Sequence, residues 1–102
     1  MQLMTTEIRN SIPALYSQEE KGEEAIVHAK FFTPDSNWTW LALEYDGKDT
    51  FFGLVKGFET EYGNFSLSEL ESARGPMGLG VERDAWFKPC TLREARSREK
   101  MY

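Results

Sequence analysis

Two tryptophans and a few scattered ionisable groups are the residues of this chain that could do chemistry. Trp38 and Trp40 are two apart and, with Phe51, can share one face of a sheet. Such a group serves either as core or as an aromatic contact patch for another protein. Glu82-Arg83-Asp84 puts two carboxylates on one face of an extended segment, a spacing that suits acid–base work and equally suits a charged sheet edge that resists aggregation. Arg74 could pair with one of them. A metal site needs clustered ligands, and one histidine, His28, with one cysteine, Cys90, at unrelated positions makes zinc a poor expectation. As a nucleophile pair they lack supporting motif context, and Cys90 after Pro89 reads as a small packing residue. Gly75-Pro-Met-Gly-Leu-Gly80 has neither the Lys-Ser/Thr of a P-loop nor a dinucleotide fingerprint and reads as a connector. No cofactor is expected.

These residues need a scaffold, and the turn chemistry supplies most of it. Lys30-Phe-Phe-Thr-Pro-Asp-Ser-Asn-Trp-Thr-Trp40 reads as strand, tight turn, strand, with Pro34 at the first central position of a type I turn. The spacing predicts strands over 25–33 and 38–45, an Asp46-Gly47 type I′ hairpin, a third strand over 50–58 and a fourth over 61–65. Ala25, Val27, Ala29 and Phe31 should face one way. In the second strand Trp38, Trp40, Ala42 and Glu44 should oppose Thr39, Leu41, Leu43 and Tyr45. Gly53, Gly57 and Gly63 point to bulges or close backbone approach.

Helices come from caps. Thr5 and Thr6 can start one near Glu7 that Pro13 ends; Ser66-Leu-Ser-Glu69 and Thr91-Leu-Arg-Glu94 are capping boxes for two more. Residues 18–24 read as a polar loop, and 81–87 as a short edge strand. Both faces of the meander are partly apolar, so helices should cover one and loops or a partner part of the other. The expected fold is α+β: one domain over residues 1–102, a four- to five-stranded antiparallel β-meander flanked by short helices.

The chain has 102 residues, 40 % hydrophobic and 28 % charged, which suits a folded domain. Net charge is −5, distributed as −7 over residues 1–90 and +2 over 91–102. An acidic body disfavours direct nucleic-acid binding and suits a basic protein partner. No apolar run reaches the length of a membrane span, the first residues lack a signal-peptide pattern, and one cysteine gives no internal disulfide, so a cytoplasmic location is expected.

Several blocks carry a resemblance: Leu15-Tyr-Ser-Gln-Glu19, Lys30-Phe-Phe-Thr-Pro-Asp35 with Trp38-Thr-Trp40, Phe51-Phe-Gly-Leu54, Phe65-Ser-Leu-Ser-Glu-Leu-Glu71, Arg74-Gly-Pro-Met-Gly-Leu79, and Val81-Glu-Arg-Asp84 with Phe87-Lys-Pro89. In this order, over about residues 3–95, the chain resembles the domain-of-unknown-function family 2958 of bacterial plasmids, phages and other mobile elements. It departs from the family pattern at Gly80, where relatives often carry proline. The family offers no catalytic residues to carry over. The resemblance further implies similarity to a type II-A anti-CRISPR, a non-enzymatic inhibitor of Cas9 or of the Cas9–guide RNA complex. On that expectation Asp35, Asp46, Asp49, Glu59 and Glu61, placed on turns at the sheet ends, are the contacts, with carboxylates standing in for phosphates in a positive channel, and Trp38 and Trp40 beside them. Two alternatives stand next to it: a small hydrolase-type enzyme with a carboxylate site near Glu82 and Asp84, and an accessory protein of plasmid maintenance.

Overall fold

A computed structural model describes residues 2–102. In chain order the elements are α1 (Thr6–Ser11), β1 (Ile26–Val27), β2 (Ala29–Phe32), β3 (Thr39–Tyr45), β4 (Thr50–Lys56), β5 (Thr60–Ser66), α2 (Leu67–Ser72), β6 (Glu82–Arg83), β7 (Cys90–Thr91) and α3 (Leu92–Glu99). Five strands form an antiparallel sheet in the order β5-β4-β3-β2-β6, and β1 pairs with β7 in a separate two-stranded ribbon. This is the expected α+β meander with short helices.

Local signals place most boundaries. The Thr5, Ser66 and Thr91 hydroxyls accept from the third backbone N–H of α1, α2 and α3, at 3.1, 3.0 and 3.2 Å, satisfying donors that a helix start leaves open. Pro34 is the first central residue of a turn closed by Ser36 N–H to Thr33 C=O at 3.3 Å. Arg74 does not reach Glu82 or Asp84; its guanidinium donates to the carbonyls of Glu71 and Ala73 at the end of α2.

Three expectations need correction, the first two because a long-range partner outweighs local pattern and the third because a side chain, not the backbone alone, closes the turn. First, the strand over 25–33 is two strands. Ala25 and Val27 pack in one core with α3, while Ala29 and Phe31 pack in the other, so the inward direction changes at His28. The thiol-bearing segment at β7 claims β1, and β3 and β6 claim β2. Second, β3 carries a bulge between Ala42 and Glu44. Tyr45 therefore joins Trp40 and Ala42 on one face, and Glu44 leaves it. Third, Asp46-Gly47 is not a two-residue type I′ turn. The connection has four residues, with only Gly47 at positive φ, and Asp46 Oδ1 accepts from the backbone N–H of Lys48, Asp49 and Thr50 at 2.8–3.0 Å. Those three donors hold the Asp46 carboxyl below its usual pKa.

Helices cover both faces of the sheet, not one with loops or a partner on the other. Against the first lie α1 and α2, enclosing Phe31, Trp40, Tyr45, Phe51 and Phe65. Phe51 is the hub, with ring centroids 4.5 Å from Tyr45, 5.2 Å from Phe65 and 5.6 Å from Phe31. Against the second lies α3, whose Leu92 and Ala95 join Met101, Leu41, Leu43 and Leu54. Lys30, on the second face, ties β2 to the far end of α3 through Glu99 at 2.8 Å and to Asp84 at 3.7 Å.

Gly53 lies opposite Ala42 of β3; a Cβ there would overlap the Leu41 carbonyl. Gly63, opposite it, has open space on its outer side and carries no such constraint. Gly53→Ala should therefore destabilise by at least about 3 kcal/mol, read as a lowered urea midpoint, whereas Gly63→Ala should change it little. His28 gives a pH signature. Burial, then the nearby Lys21 charge, lowers its pKa, and its Nδ1 has no partner among the described residues. The unfolded chain binds this proton more readily, so the His28 contribution is complete above about pH 6.5 and declines as pH falls below it. The unfolding midpoint should drop between neutral and mildly acidic pH, and His28→Gln should flatten that window.

Candidate protein-interaction surface

The sheet leaves one edge open. Among the described residues β5 pairs only with β4, so the outer N–H and C=O groups of Thr60–Ser66 face away from the sheet. The three-residue connection Gly57-Phe58-Glu59 closes the hairpin, with Gly57 N–H donating to Glu59 C=O at 3.0 Å. Its tip pushes Phe58 outward, 97 % exposed. Trp38 lies across the hairpin from the β2–β3 side, 5.7 Å from Phe58 in an edge-to-face arrangement and 5.9 Å from Trp40. A Cβ on Gly57 would collide with the Trp38 ring, so the glycine is what allows the indole to lie there. Trp38, Val55, Phe58, Glu59, Glu61 and Tyr62 line a hollow of about 550 Å³. Trp40, by contrast, is buried and belongs to the core.

The acidic residues separate by what their carboxylates already hold. Asp46 binds three amides of its own loop. Asp49 accepts from Ser68 N and Ser68 Oγ at 2.9 and 2.8 Å and so pins the start of α2 to the β3–β4 loop. Asp35 accepts from Met77 N and Leu79 N at 2.8 and 3.3 Å, pinning the glycine-rich connector; a side chain at Gly75 would overlap that carboxylate. These three perform internal work. Antiparallel connectivity also divides them: Asp35 and Glu59 sit at one end of the sheet, Asp46 and Asp49 at the other. Glu61 is in strand β5, not on a turn. Of the seven residues that the sequence singles out, Trp38, Glu59 and Glu61 converge on one surface, with Trp40 beneath.

The remaining reactive candidates are dispersed. Asp84 accepts from Trp86 N at 2.9 Å and pairs with Lys30; with Glu82 it borders an open hollow of about 320 Å³ at the β6 edge. The β1–β7 pairing brings Cys90 opposite Val27, next to His28, but no hydrogen bond joins the pair among the described residues. Burial raises the Cys90 pKa, the reverse of thiolate activation. Among the described residues no group of three His, Cys, Asp or Glu side chains could hold a metal, and no helix is long and apolar enough to cross a membrane.

The family model for a protein of unknown function, DUF2958, matches residues 3–94. The chain belongs to this family. Comparison with curated proteins and with solved structures finds no match.

Sequence reasoning about this DUF2958 chain missed Phe58, Tyr62 and Trp86. Phe58 reads as the last residue of a strand, yet Gly57 beside it is a turn signal, and a large apolar residue at a hairpin tip has no core to enter. Trp86, 92 % exposed, sits at the opposite edge, beyond β6. Gly57→Ala should displace Trp38 and shift the tryptophan emission maximum while lowering the unfolding free energy by no more than about 3 kcal/mol; an unchanged emission spectrum would contradict the packing described.

Proposed function

We propose that the protein is a non-enzymatic binding protein of a mobile element that inhibits a host defence nuclease, with Cas9, alone or loaded with guide RNA, as its partner in the cytoplasm. The observation that carries the reading is the β4–β5 hairpin: an aromatic step of Trp38 and Phe58 bordered by Glu59 and Glu61 beside an open strand edge. An exposed aromatic anchor with adjacent charge is the composition of a binding hot spot. Neither carboxylate has an ion pair among the described residues, so both are available to a basic surface. Asp46 and Asp49 become scaffold residues in this reading, and the contact charge moves to Glu59 and Glu61. The commitment of Asp84 to Lys30 and the separation of the other ionisable groups favour binding over a carboxylate enzyme.

The test is calorimetric titration of Cas9, with and without guide RNA, at low and high salt. Binding should weaken with salt, Glu59→Gln with Glu61→Gln should reduce that salt dependence, and Phe58→Ala should cost about 2 kcal/mol or more, the range of a hot-spot residue. No binding in either loading state would reject Cas9 as partner; binding unaffected by all three substitutions would reject this surface.

A further inference from the structure

On the other side of the β4–β5 hairpin lies a groove of about 430 Å³, walled by Leu15, Tyr16, Leu43, Phe52 and Tyr62. Glu44 lines it and is only 3 % exposed. The bulge in β3 puts Glu44 on this face opposite Phe52. Each carboxylate oxygen receives one backbone N–H: Tyr16 N to Oε1 at 2.7 Å and Gln18 N to Oε2 at 2.9 Å. A carboxylate oxygen has two acceptor positions, so one on each remains. Among the described residues Glu44 has no ion-pair partner, although Glu23, Glu24, Glu94 and Glu99 all have a basic one. A buried carboxylate without a counter-cation is costly.

The surroundings of Glu44 suit a cation. Phe52 and Tyr62 stack with planes 5° apart and centroids at 6.2 Å, giving one continuous π wall. Tyr16 stands at φ +71° and is 76 % exposed at the rim. That left-handed backbone is unfavourable for tyrosine and is held by the N–H bond to Glu44. Gln18 does not compete for a ligand: its amide donates to Ile26 O and Leu43 O and accepts from Ile26 N. Glu19 adds a second carboxylate at the mouth.

We infer that this groove receives the guanidinium of an arginine side chain presented by a basic protein partner, with Glu44 as its carboxylate and Tyr16, Phe52 and Tyr62 as its aromatic walls. The inference rests on the binding-protein reading above and assigns a second contact to it, which shares Tyr62 with the first. Arginine fits better than lysine because a planar fork can both engage two carboxylate oxygens and lie flat against a ring.

The probe is a blocked Gly-Arg-Gly peptide, titrated into the isolated protein and followed by amide and aromatic NMR shifts, with the citrulline and lysine peptides in parallel. The arginine peptide should give saturable shifts at Tyr16, Gln18, Phe52 and Tyr62, the lysine peptide weaker ones, and the neutral citrulline peptide none. Glu44→Gln should weaken the arginine response at least about tenfold, as expected for loss of a charge-assisted bond. Because that variant also touches the anchoring of Tyr16 and Gln18, Tyr62→Ala on the exposed edge is the companion; it should keep the fold and lose affinity about two- to fivefold. Non-saturable shifts with arginine, an equal response to citrulline or to lysine, or unchanged affinity in Tyr62→Ala would overturn the assignment. The titration contains no Cas9, so its failure is distinct from rejection of the proposed partner.

Discussion

The central strand has no wet side. Six of the seven residues of β3 are buried, and each face of the sheet must be covered by apolar side chains from elsewhere. Burial of this kind is worth roughly 25 cal/mol per Å² of apolar surface, so the cover is the dominant stabilising interaction. A short chain meets the demand by sending α1 and α2 to one face and α3 to the other. One edge receives only the two residues of β6, and the other, β5, pairs with no further strand among the described residues. The open hairpin is thus what is left once the two faces are closed.

Much of the architecture was legible in the sequence because it is set by local chemistry. The Pro34 turn and the three serine or threonine caps depend on residues within four positions of each other, and each was placed correctly. The change of face at His28, the bulge at Glu44 and the pairing of β1 with β7 depend on residues far away in the chain. Period-2 alternation carries no mark of an inserted residue, so the pattern put Tyr45 on the wrong face and made one strand of residues 25–33. The candidate surface was legible in part: Trp38, Glu59 and Glu61 come together, while Phe58 and Tyr62 show their exposure only in three dimensions.

The carboxylates illustrate the same limit. Composition counts Asp35, Asp46 and Asp49 as surface charge. In the fold each accepts two or three hydrogen bonds from backbone amides or Ser68, and charge-assisted bonds of this type are stronger than neutral ones. They are joints between loops and elements. Glu44 is the extreme case, a strand residue whose two oxygens fix the otherwise irregular segment before Gln18 against the sheet. Acidity in this protein is therefore divided between side chains that build the scaffold and side chains that the scaffold displays.

Strand β5 contains one charged residue, Glu61, and no proline or lysine. Edge strands escape unwanted sheet extension largely through such guards. Along this open edge the Glu61 side chain is therefore the one charged guard that strand β5 itself supplies against pairing with a second copy of the hairpin.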